Sequence, residues 1–164
     1  MPYVELHACS AFSFLRGGSL PEQIAEVAAE LGMPAAALLD RNGVYGAQRF
    51  SVAAREKGVR PIVGCELTME DRSVLPVLVE TANGYKNLCE LLTQAHLRSD
   101  VKAECSVRWD ELPEFTDGLV ALLGSAGCQP AVFGSLPKTS ARAGREWHTT
   151  VRQAAGRSRL AACA

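Results

Sequence analysis

The chain has 164 residues, of which 48% are hydrophobic and 21% charged, and its formal net charge is −1. That length suits one domain with a substantial core and is short for two, and the composition excludes wholesale disorder. The charge is uneven: residues 1–124 hold 11 Lys and Arg against 17 Asp and Glu, whereas residues 125–164 hold 6 cations and one acid, Glu146.

Residues 3–7 read as a short apolar strand that delivers His7 into a loop. Ser19-Leu20-Pro21-Glu22 has the capping-box pattern, with Ser19 as N-cap and Glu22 reaching back from the third helical position. Ile24, Val27, Ala28 and Leu31 follow as an apolar stripe at helical spacing, which Gly32 and Pro34 end. Residues 35–39 are a continuous apolar run, as expected of a parallel strand buried on both faces. That strand leads to Asp40 and the Asn42-Gly43 turn. A second helix is expected over 45–57, capped by Gly58, and a third strand over 60–67 carries Glu66 near its end. A polar turn at 68–73 leads to a fourth strand at 74–80. Residues 83–97 make a third helix with Leu88, Leu91, Leu92 and Ala95 on its buried face. Residues 107–109 pair briefly, 110–115 hold a helical turn, and 119–123 form a further strand.

Strand and helix in alternation imply an α/β fold with parallel strands and right-handed crossover helices. A closed (β/α) barrel needs about 250 residues. The expectation is therefore a partial barrel over residues 1–124. Residues 125–164 have neither helical nor strand period and are expected to form a basic, poorly ordered tail, with an origin unrelated to the rest as one reading. Six dispersed cations and Trp147 leave a nucleic-acid-binding arm as the alternative reading of that tail.

No apolar run approaches the roughly 18 residues of a membrane span, and no basic segment with an apolar follow-on marks an export signal. A cytoplasmic protein without a membrane partner is expected. Cysteines at 9, 65, 89, 105, 128 and 163 lack C-x-x-C spacing. They read as free thiols in a reducing compartment.

Three strands that each end near a side chain able to bind metal, His7, Asp40 and Glu66, suit the rim of a barrel active site. A histidine in such a place is also a common hydrogen-bonded rim residue. Cys9 and Arg41 stand where further histidines would complete the set. A thiolate can bind zinc, whereas a guanidinium is a permanent cation and repels a metal. Arg41 is expected to pair with Asp40 or Glu66.

The segments Tyr3-Val4-Glu5-Leu6-His7-Ala8-Cys9-Ser10, Leu39-Asp40-Arg41-Asn42-Gly43 and Pro61-Ile62-Val63-Gly64-Cys65-Glu66 resemble three motifs of PHP (polymerase and histidinol phosphatase) domains. Gly84-Tyr85-Lys86-Asn87-Leu88 and Val107-Arg108-Trp109-Asp110 are similar to that domain at the N-terminus of bacterial DNA polymerase III alpha subunits. Phe12-Ser13-Phe14-Leu15-Arg16-Gly17 most resembles the error-prone branch, which serves DNA replication and repair. The resemblance covers about residues 3–124. It implies a metal site at His7, Cys9, Asp40 and Glu66, taking zinc or manganese for phosphoester hydrolysis. Arg41 makes that site degenerate. The family's polymerase palm lies far downstream, so the expectation is a truncated, catalytically inactive member. A metal-dependent phosphoesterase and a noncatalytic module docking on DNA or polymerase subunits are the alternatives.

Overall fold

The computed structural model describes residues 3–101, 104–122 and 131–132. The chain divides into two compact units, Met1–Leu67 with Pro76–Val79, and Thr68–Leu75 with Glu80–Ala164. The expected basic tail therefore lies outside the described residues, apart from 131–132.

In the first unit the order is β1 (Glu5–Ala8), α1 (Pro21–Glu30), β2 (Ala35–Arg41), α2 (Ala47–Glu56) and β3 (Arg60–Thr68). β1 pairs with β2, and β2 with β3, both in parallel. β2 explains its own position. Ala35 to Leu39 are all buried, so both faces of the strand are covered and no alternation of polar and apolar residues is needed. Ala36 and Leu38 pack with Ala25 and Ala28 of α1, Phe50 and Ala54 of α2, and Val59.

The start of α1 and part of its inner face differ from the sequence expectation. Pro21 occupies the beginning of the helix, where its missing N–H is not needed, so the cap falls on Leu20 and not on Ser19. Gln23 now holds the third position, and its Oε1 accepts from the Leu20 N–H at 2.8 Å. Glu22 is released to pair with Arg49 of α2. The buried face is Pro21, Ala25 and Ala28, while Val27 is 50% and Leu31 66% exposed. Small side chains let α1 approach α2 and the strand beneath closely. Of the sequence stripe, Val27 and Leu31 are turned outward, whereas Ile24 packs against the core beside Ala28.

β4 (Val74–Val79) neighbours β3 in the sheet. Met69 N–H donates to Ser73 O at 2.9 Å, closing a tight reversal between the two strands. A parallel crossover needs a dozen or more residues, so this connection is a hairpin and the sheet is mostly, not wholly, parallel.

The second unit holds α3 (Ala82–Arg98), α4 (Leu112–Phe115), β5 (Leu119–Ala121) and β6 (Ala131–Val132), with β5 and β6 antiparallel. Thr81 caps α3 by accepting from the Gly84 N–H at 3.0 Å. Leu88, Leu91, Leu92 and Ala95 are buried, as their spacing requires. The expected brief pairing at 107–109 is a parallel bridge between Val107 and Met69.

Candidate functional site

β1, β2 and β3 deliver His7, Asp40 and Glu66 to neighbouring strand ends, because the parallel register sets Asp40 beside Cys65 and Arg41 beside Glu66. The three side chains are held in two separate centres.

Asp40 is 1% exposed and is the hub of the first. Its Oδ1 accepts from the Ser10 N–H at 2.9 Å, the Ser10 hydroxyl at 2.8 Å and the Ser13 hydroxyl at 2.8 Å. Its Oδ2 accepts from the Gly46 N–H at 3.0 Å. The two hydroxyls also accept, Ser10 Oγ from the Phe12 N–H at 3.2 Å and Ser13 Oγ from the Arg41 N–H at 3.0 Å. Buried polar groups that are fully partnered make a rigid, specific network. Here the network fastens the loop after β1 to the end of β2 and to the residue that opens α2. Gly17 completes the fastening: a Cβ there would lie 2.2 Å from the Ser10 carbonyl oxygen, so only glycine lets the returning chain pass.

Glu66 organises the second centre. Its Oε1 lies 2.7 Å from His7 Nε2, and the carboxylate accepts, so that nitrogen carries the proton. Its Oε2 receives Arg16 at 3.2 Å and Arg41 at 3.4 Å. The hydrogen bond from His7 holds the Glu66 carboxyl below its ordinary value; burial opposes this, and the charges of His7, Arg16 and Arg41 add to it. The same bond raises His7, against burial and with help from the charges of Glu66 and Glu5. Cys9 is a free thiol of intermediate burial. Burial pushes its pKa up, the charges of Glu66 and Asp40 reinforce the shift, and Arg16 opposes it.

The structure thus brings His7 to Glu66 and Arg41 to Glu66, and keeps Asp40 in its own network. Among the described residues, no group of three or more His, Cys, Asp or Glu side chains is arranged to hold a metal ion. Four participants escaped the sequence reading: Ser10, Ser13, Arg16 and Gly46. The two serines three residues apart after a strand were a local signal for a turn that offers hydroxyls. Arg16, 50 positions from Glu66, left none. No described helix is long and apolar enough to cross a membrane.

A parallel α/β unit whose strand ends carry this set of side chains agrees with the comparison to family models, where the PHP domain matches residues 5–159. The chain belongs to the PHP-domain family. Among curated relatives it is 42% identical over 117 residues to an error-prone DNA polymerase of Corynebacterium efficiens, covering 71% of this chain and 11% of that protein. It is 39% identical over 151 residues to an error-prone DNA polymerase of Symbiobacterium thermophilum, covering 83% of this chain and 14% of that one. The chain therefore spans about a tenth to a seventh of the length of these relatives. Among solved structures, an amidohydrolase from Chromobacterium violaceum is similar at 21% identity with a TM-score of 0.47, over 57% of this chain and 33% of that one.

Proposed function

We propose that this chain is a catalytically silent PHP domain of the error-prone DNA polymerase kind. In this reading it does not hydrolyse phosphoesters, and it holds no zinc or manganese at His7, Cys9, Asp40 and Glu66. The observation that carries the reading is the occupation of Glu66 by two guanidiniums and an imidazole. A divalent cation at this carboxylate would have to displace or sit against Arg16 and Arg41, and like charges in a half-buried site repel strongly. Three further features support it. Both oxygens of Asp40 are already engaged by protein donors. His7 spends its Nε2 proton on Glu66. The raised pKa of Cys9 favours the thiol over the thiolate that binds metal.

The competing reading is a metal-dependent phosphoesterase built on the same four residues. Hydrolysis of a generic phosphodiester by purified protein, with manganese or zinc supplied, separates the two. Rates equal to buffer support the silent domain. Metal-dependent turnover that disappears in Glu66→Gln would establish the phosphoesterase.

A further inference from the structure

Glu66 has more partners than its charge requires. Arg41, adjacent to it in the parallel register, and His7 together already compensate the carboxylate. Arg16 is the third, and it comes from a different kind of segment. It lies in the loop after β1, whose root is fixed by the Asp40 network and by the Ala11 N–H donating to Ser19 O at 2.8 Å. The tip of that loop has little to hold it. Phe14 is 83% and Leu15 90% exposed, so neither contributes much burial. Leu15 also has φ +60°, a left-handed conformation that a branched side chain adopts only when its surroundings enforce it. The amides of Arg16 and Gly17 both donate to the Ser13 carbonyl, at 2.9 and 3.1 Å, which makes one compact turn. Ser13, the first residue of the turn, is tied to Asp40 and to the Arg41 amide. Beyond it, among the described residues, the side-chain tie to the strand ends is the Arg16 guanidinium on Glu66 Oε2.

Resting on the silent reading of the site, we propose that Glu66 and Arg16 form a metal-independent latch that holds residues 14–17 of this turn against the strand ends. The carboxylate fastens a loop by charge and hydrogen bonding. Removing Arg16 leaves Arg41 and His7 on Glu66 and leaves Asp40 untouched, so the latch opens without dismantling what it closes on.

Amide hydrogen exchange on the full chain tests this, with Arg16→Gln and Arg16→Lys compared with the wild type, each with EDTA and with added zinc. The protection of the Gly17 amide in Arg16→Gln is expected to fall about two- to fivefold, the scale of a partly exposed ion pair. Amides of β2 should be unchanged, Arg16→Lys should recover part of the loss, and EDTA should have no effect on the wild type. Unaltered Gly17 protection in Arg16→Gln overturns the latch, as does an equal loss across β2 or a loss caused by EDTA alone. Zinc uptake with the Arg16→Gln response intact would sink the silent reading and leave the latch standing.

Discussion

His7 and Glu66 lie 59 positions apart in the sequence, yet their Nε2 and Oε1 atoms are 2.7 Å from each other. The contact joins the ends of two strands that are not neighbours in the sheet, since β2 runs between them. It therefore bridges across the middle strand and draws the loops of all three together.

The pair gives stability a defined pH window. His7 is raised above its ordinary 6.5, so its contribution is complete below that value and is lost as pH rises through the higher folded-state value. Glu66 is lowered below its ordinary 4.5, so its contribution is complete above that value and is lost as pH falls through the lower one. Both conditions hold between pH 4.5 and 6.5. Solvent reaches His7, and Glu5, Arg16 and Arg41 share the local field, so the window is worth about 0.5 kcal/mol or less. Thermal melts of wild type and His7→Gln from pH 3 to 9 should differ most inside that window. A difference that grows above pH 8 contradicts the pairing.

Asp40 is a structural hub, and truncating it should be severe. Asp40→Ala leaves Ser10, Ser13 and Gly46 with buried donors and no acceptor, which costs about 3 kcal/mol or more. Urea denaturation measures it directly. A carboxylate kept free for a metal would behave in the opposite way, because removing it from metal-free protein relieves an uncompensated buried charge. Loss of less than about 1 kcal/mol would therefore count against the hub.

Gly84 tests packing in the second unit. Alanine is normally better than glycine inside a helix by about 1 kcal/mol. Here, however, a Cβ would lie 1.9 Å from the Gly118 carbonyl oxygen, which is backbone and cannot swing aside. Overpacking of this kind costs about 1–3 kcal/mol. Gly84→Ala should lower the melting temperature, and an increase would show that α3 does not approach Gly118 so closely.

The sequence made β2 legible because an uninterrupted apolar run has few other uses, and made α3 legible because Leu88, Leu91, Leu92 and Ala95 recur at one helical period. On α1 it placed Ile24 and Ala28 inward correctly, but also Val27 and Leu31, where the closeness of α2 rewards the small Ala25 instead. The polar turn at 68–73 was legible too, and its five residues between β3 and β4 suffice only for a hairpin, which makes the sheet mostly and not wholly parallel. The pairing of Arg41 with Glu66 could be anticipated from chemistry at adjacent strand ends. The serines around Asp40 and the reach of Arg16 could not, since they depend on how the loop after β1 folds back. Local pattern carries no record of that path.

In the proposed function, His7, Asp40 and Glu66 are bound by protein partners in place of a metal. Metal analysis of the purified chain, after equilibration with zinc and with manganese and removal of excess, tests it most directly. Far less than one metal per chain is expected for both ions, with the same value in Glu66→Gln. Close to one or more per chain, abolished by Glu66→Gln, would contradict it.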